Sequence, residues 1–134
     1  AATRSLRVAV AVPDGEVRVS GDRAALQQAL ANLLDNAVRL APEGSTIEVG
    51  TGVDGPWAWI AVRDEGPGIA PDDQPLVFRR FWRGAAGDGP RGSGLGLAIV
   101  DQILVAHGGA ARVASEPGRG SVFSLWIPRD LGDR

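Results

Sequence analysis

Apolar side chains alternate with small or charged ones near both ends of this chain, and in two internal stretches they switch to three- and four-residue spacing. That change of period divides the sequence into elements. Leu6, Val8, Val10 and Val12 alternate with Arg7, Ala9 and Ala11, then Pro13-Asp14-Gly15 turns the chain and Val17-Arg18-Val19 resumes the pattern, which predicts a β-hairpin. Ser20-Gly21-Asp22 is a helix-start signal with Asp22 as the cap. Leu26, Ala29, Leu30, Leu33, Leu34 and Ala37 then share one face of an amphipathic helix that stops at Ala41-Pro42-Glu43-Gly44. Alternation over 45–51 and again over 57–64, with Asp54-Gly55 between, predicts two strands joined as a hairpin. A second helix is expected over 95–106, with Leu95, Ile99, Ile103 and Val105 or Ala106 toward the core and His107-Gly108-Gly109 as its glycine end. At that end a partial positive charge on His107 would be favourable. Strands over 110–115 and 121–127 follow, joined at Gly118-Arg119-Gly120, and from Pro128 the chain reads as a frayed tail.

Between the second hairpin and the second helix, residues 70–92 are dense in Pro, Gly and Arg and hold one short helical patch over 74–82, which Phe78, Phe81 and Trp82 would anchor. A stretch so long and so poor in pattern is commonly a linker or an active-site lid, and its place between two glycine-rich motifs favours the lid.

Three polar features remain once the core positions are assigned. Gln28, Asn32, Asn36 and Arg39 form a stripe on the first helix, away from its apolar face. The stripe suits a solvated surface. It also suits ligation, because Asn is a poor helix former and its neutral carbonyl oxygen can serve a magnesium ion that already shares phosphate oxygens and water. The 57–64 strand ends in Asp64-Glu65-Gly66-Pro67-Gly68-Ile69, which is either a polar-rimmed turn or a carboxylate placed to accept from an exocyclic amine, with glycines leaving room for a flat ring. Gly92-Ser93-Gly94-Leu95-Gly96-Leu97 runs into the second helix, where backbone N–H groups and the helix dipole favour an anion.

Composition narrows the chemistry. All fourteen basic residues are Arg, so a Walker-type phosphate loop, which needs its lysine, is excluded. With no Cys and a single His there is no thiolate nucleophile, disulfide framework or Cys/His metal cluster. A net charge of −2 with scattered arginines gives no footprint for nucleic acid. No apolar run approaches the ~20 residues of a membrane span, and no signal peptide is visible.

Taken together and in order, the motifs resemble the catalytic, ATP-binding domain of bacterial sensor histidine kinases, in the superfamily that includes the DNA gyrase ATPase domains. Asn32-Leu33-Leu34-Asp35-Asn36-Ala37 is similar to its N box, and Asp64-Glu65-Gly66-Pro67-Gly68 to its first glycine box. Val77-Phe78-Arg79-Arg80-Phe81 is similar to its phenylalanine box, Gly92-Ser93-Gly94-Leu95-Gly96-Leu97 to its second glycine box, and Gly120-Ser121-Val122-Phe123 to its Gly-Thr-x-Phe strand. Two departures stand out: Leu40 replaces a common Tyr, and Arg39 a frequent Lys, which keeps the charge and adds a bidentate option.

The resemblance implies one domain over 1–134 with a Bergerat-type α/β two-layer sandwich: a mixed, mostly antiparallel sheet of about five strands with three helices on one face. An ATP lid over about 70–94 would close on the nucleotide. It assigns Asn36 to Mg²⁺ and phosphate oxygens, Asn32 to the same stripe, Arg39 to phosphate, Asp64 to the adenine amino group, and Gly92, Gly94 and Gly96 to phosphate contacts. Ser121 would support Asp64 and adenine through its hydroxyl, and Gly66, Gly68, Ile69, Phe78, Leu95 and Leu97 complete the nucleotide set. Asn32, Asn36 and Arg39 are the expected catalytic residues. Hydrolytic members carry a Glu one turn before the metal asparagine, where this chain has Asn32, an amide too weakly basic to activate water. The implied reaction is therefore transfer from ATP, leaving ADP, to a histidine on a dimerisation domain outside this chain, for relay to a response regulator. A monomeric, cytoplasmic domain of a membrane-anchored sensor is expected. The alternatives are an anti-sigma-factor-like serine kinase and a nucleotide-sensing module without transfer.

Overall fold

A computed structural model describes residues 7–11, 17–79 and 96–130. Within them, five strands form one sheet in the order β1-β2-β3-β5-β4: β1 (Arg7–Ala11), β2 (Thr46–Asp54), β3 (Trp57–Asp64), β4 (Ala110–Ser115) and β5 (Ser121–Pro128). Two α-helices, α1 (Arg23–Leu40) and α2 (Gly96–Ala106), pack on each other and on the sheet. The third expected helix is only a 3-10 turn over Gln74–Leu76 among the described residues; Phe81 and Trp82 lie outside them.

The expected N-terminal hairpin does not form. β1 pairs in parallel with β2, Val8 opposite Ile47, and Val19 makes a single antiparallel bridge to Arg129. Parallel neighbours need a crossover of a dozen residues or more, and α1 supplies it, so β1-α1-β2 is one βαβ unit. The other pairings are antiparallel, beginning with the β2–β3 hairpin, whose turn places Gly55 at φ 57°. Nor is Pro128 the start of a tail. It closes β5, and the N–H groups of Arg129 and Asp130 donate to the carbonyls of Pro56 (2.7 Å) and Arg18 (2.8 Å).

Asp22 caps α1 as expected, its carboxylate accepting from the Ala25 N–H at 3.1 Å, an arrangement worth about 1 kcal/mol. Ala29, Leu33 and Ala37 enter the core, with Leu26, Leu30 and Leu34 packed at its edge. They meet Ile47, Val62, Phe123 and Leu125 from the sheet, and each fully buried large side chain contributes about 1.5–3 kcal/mol.

For α2 the expected core face holds at Ile103 and fails at Ile99 and Val105, while Leu95 lies outside the described residues. Ala98, Val100 and Leu104 are buried, Leu97 and Ile103 pack at the core's edge, and Ile99 and Val105 are exposed. This helix has only Asp101 and Gln102 as polar residues, so spacing could not select its buried side. Gly108, at φ 77°, ends the helix, and the Gly109 N–H returns to the Leu104 carbonyl at 2.8 Å.

His107 joins the two helices. Its Nδ1 lies 2.7 Å from the Ile103 carbonyl and must donate, while Nε2 accepts from the Asp22 N–H at 3.0 Å. Only the Nδ1–H tautomer satisfies both, and the ring thereby joins the end of α2 to the start of α1. Gly21 makes room for it, since a Cβ there would strike the imidazole. On the opposite face of the sheet, Trp59 and Trp126 pair at 6.3 Å with Arg112 above the Trp126 ring.

Candidate functional site

The site lies where the C-terminal half of α1 meets the end of β3. One turn beyond Asn36, the Leu40 carbonyl abuts the loop after Asp64: a Cβ on Gly66 would come within 2.8 Å of both that carbonyl and Asp64 Oδ1. Glycine at 66 is thus a condition for helix and loop to approach.

Asp64 is 1% exposed. Its Oδ1 accepts from the Gly66 N–H at 2.8 Å, and its Oδ2 is buried without a hydrogen-bond partner. Burial pushes the carboxyl above the ordinary aspartate range, and the backbone N–H groups of Gly66 and Ser121 pull the other way. A buried acceptor left unmatched costs about 1–3 kcal/mol, which a ligand donor would recover.

The loop that carries Asp64 is stapled to the β4–β5 turn. Gly118 N–H donates to the Pro67 carbonyl (2.7 Å) and Ile69 N–H to Ser115 Oγ (2.8 Å). Gln74 Nε2 donates to the carbonyls of Ile69 (3.0 Å) and Ser115 (2.9 Å). Gly68 and Gly120, both at positive φ, pass so close to the Glu116 and Asp64 carbonyls that a side chain at either would collide with backbone. Phe78 packs edge-on against Phe123, with ring centroids 6.2 Å apart.

Ser115 ties Ser121 into the same turn: its Oγ donates to the Gly120 carbonyl at 2.8 Å, accepts from the Ile69 N–H, and lies 2.8 Å from Ser121 Oγ. Ser121 is buried beside Asp64, and its backbone N–H favours the carboxylate. The sequence pattern does not single out Ser115 and Gln74, because neither belongs to a motif and the bonds that join them across the two loops span 46 and 41 residues.

On α1 the polar stripe runs from solvent into the protein: Gln28 is exposed, Asn32 and Arg39 are half-buried and Asn36 is buried. Asn36 is 5% exposed; its Oδ1 accepts from Arg39 Nη2 at 3.0 Å and its Nδ2 is buried without a partner. Asn32, half-buried, receives Gln28 Nε2 on its oxygen at 2.7 Å and donates to the Gly96 carbonyl at 3.1 Å. Leu97, in the first turn of α2, packs at the core's edge. Gly92, Gly94 and Leu95 lie outside the described residues. Among the described residues no group of three His, Cys, Asp or Glu could hold a metal. A cation here would depend on amide oxygens and on a ligand's own phosphates, and Asn36 would reach it only with its oxygen released from Arg39.

Both the α1 asparagines and the Asp64 loop fall within a stretch that matches a known family. Residues 21–131 fit the model of the histidine kinase-, DNA gyrase B- and HSP90-like ATPases. The chain belongs to this family. Among its relatives, the sensor-like histidine kinase SenX3 of Mycobacterium tuberculosis is 48% identical over 114 residues, covering 84% of this chain and 28% of that protein. The histidine-protein kinase/phosphatase MprB of Mycolicibacterium vanbaalenii is 47% identical over 97 residues, 72% of this chain and 20% of that one. The chain thus spans under a third of these relatives. A solved structure of mycobacterial MprB superposes with a TM-score of 0.82 at 38% identity, covering 92% of this chain and 84% of that one. Full-length ShkA in complex with AMPPNP gives 0.81 at 32%, covering 96% and 27%. Within the ATPase family, this chain is the catalytic domain of a sensor histidine kinase, and its five-stranded sheet with α1 and α2 is the fold of those domains.

Proposed function

We propose that this single domain, over 1–134, binds ATP with Mg²⁺ beneath the 70–94 segment and presents the γ-phosphoryl group to a histidine on a separate dimerisation domain, for relay to a response regulator. The observation that carries the reading is the buried Asp64 carboxylate with one unmatched acceptor beside a glycine-walled shelf. Adenine offers an exocyclic amine to such an acceptor. Guanine offers a carbonyl there, which the carboxylate repels. AMPPNP in the ShkA structure, on a chain similar along nearly all of this one, supports an adenine nucleotide.

Asp64 would fix the base, with Gly66, Gly68, Ile69, Phe78 and Ser121 forming the shelf, while Asn36 and Arg39 stand at the phosphate end on α1. Asn36 would hold Mg²⁺, which when bound neutralises phosphate charge and orients the γ-phosphoryl group. Arg39, within a hydrogen bond of Asn36, would add a positive charge toward the phosphates. Gly92, Gly94, Gly96, Leu95 and Leu97 are assigned to the lid side. No carboxylate stands at Asn32 to activate water, so transfer depends on a protein nucleophile brought to the phosphate and on positioning. His107 is not that nucleophile, since both its nitrogens are engaged between the helices. Among the described residues no helix is long and apolar enough to cross a membrane; the likeness to sensor kinases supports a cytoplasmic place for this domain.

The test is transfer in trans. With γ-labelled ATP and the helical dimerisation domain of its own parent kinase, this chain should place acid-labile, alkali-stable phosphate on that domain's histidine and none on itself. Label on this chain alone, or acid-stable phosphoserine on the acceptor, would contradict the proposal.

A further inference from the structure

Ile69 ends the loop that carries Asp64, and both polar groups of its backbone are bonded to side chains outside that loop. Its N–H donates to Ser115 Oγ at 2.8 Å, and its carbonyl accepts from Gln74 Nε2 at 3.0 Å. The same Gln74 nitrogen donates to the Ser115 carbonyl at 2.9 Å. These three bonds close a ring through Ile69, Gln74 and Ser115. Ser115 is the last residue of β4 and Gln74 the first of the 3-10 turn, so one side chain joins the Asp64 loop, the turn and the strand.

The ring sets narrow demands on position 74. Both of its acceptors are backbone carbonyls, so the group between them must bring two protons and no negative charge, which fixes the orientation of the Gln74 amide. Glutamate at neutral pH would set a carboxylate against two carbonyls, and asparagine is one methylene shorter. Gln74 is half-buried, where a carbonyl left unmatched is costly. Ile69 itself is buried, its side chain in the core. The shelf between Asp64 and Ile69 is thereby held at three points: the Gly66 N–H on Asp64 Oδ1, the Pro67 carbonyl on the Gly118 N–H, and Ile69 in the ring. The first uses the carboxylate that would meet the base, the second is backbone alone, and the third depends on the Gln74 side chain.

On the Mg²⁺-ATP reading above, we infer that Gln74 is a positioning residue for base recognition: through the Ile69 and Ser115 carbonyls it holds the far end of the Asp64 loop where an adenine ring fits. The ring belongs to the base end of the site, while Asn36 and Arg39 stand at the phosphate end on α1.

Two variants test this role. Gln74→Met keeps the length of the side chain and removes both donors; Gln74→Glu keeps its shape and reverses its polarity. Calorimetric titrations with ATP and with GTP, each with and without Mg²⁺, read the base end and the phosphate end separately. Gln74→Met should weaken ATP binding about tenfold and Gln74→Glu more, with GTP changed less, so that the preference for adenine narrows by about the same factor. The ratio of ATP affinities with and without Mg²⁺ should stay that of the unaltered chain, with one site per chain. A bond that served stability alone would instead lower the melting temperature and the bound fraction at unchanged ATP affinity, and that result overturns the inference. A lost Mg²⁺ response in Gln74→Met also overturns it, since the effect would then lie at the phosphate end. No ATP binding by the unaltered chain overturns the Mg²⁺-ATP reading and this role with it, whereas ATP bound with its preference over GTP intact in both variants overturns this role alone.

Discussion

Asp64→Asn should cut ATP affinity by about 30- to 150-fold, the equivalent of about 2–3 kcal/mol, while leaving the fold in place. The substitution conserves shape. Its oxygen can still accept the Gly66 N–H, so the glycine loop keeps its anchor, but the second position now carries NH₂ and meets the adenine amine donor to donor. Titration calorimetry of both chains measures the loss. The same variant reports on the buried charge. The folded state holds the Asp64 proton more tightly than the unfolded chain, so the unliganded protein loses stability as pH rises through the interval just above the ordinary aspartate range. An amide does not titrate. Thermal melts should therefore show Asp64→Asn gaining on the unaltered chain between acid and neutral pH, and a gap that shrinks with rising pH would contradict the burial argument.

Asn36→Ala is expected to abolish the effect of Mg²⁺ on nucleotide binding, with about 10- to 100-fold weaker binding in its presence and little change in its absence. The side chain brings one matched oxygen and one unmatched buried nitrogen, so its loss should change fold stability by no more than about 1 kcal/mol. The experiment is an ATP titration with Mg²⁺ and with a chelator. A variant that retains the Mg²⁺ response would move the ion away from α1.

Much of this arrangement is legible in the sequence where one local cause decides it. Asp22 ends its run of non-helical residues with a side chain able to cap, and it does cap; the alternation over 57–64 is β3 with the same bounds. The motif glycines at 66, 68 and 120 stand where the chain passes too close to backbone or to Asp64 for a side chain. What the sequence conceals is partnership. Alternation in β1 and at 17–19 marks extended backbone but does not say which strand pairs with which, so an apparent hairpin is a parallel crossover closed by Arg129 at the far end of the chain. In α2, apolar on nearly every side, the buried face is chosen by what α1 and the sheet present to it. His107 reads as a helix-end residue, and the bond of its Nε2 to Asp22, 85 residues away, is not visible in the pattern. Likewise Ser121 shares a hydrogen bond with Ser115, a residue that no motif includes.

The most direct test of the account is calorimetric titration of the unaltered chain with ATP and with GTP, each with and without Mg²⁺. The account predicts one site per chain, ATP bound more tightly with Mg²⁺ than without, and GTP at least about 100-fold weaker, because its base turns a carbonyl toward the buried Asp64 carboxylate. Equal affinity for the two nucleotides, or no binding of either, would contradict it.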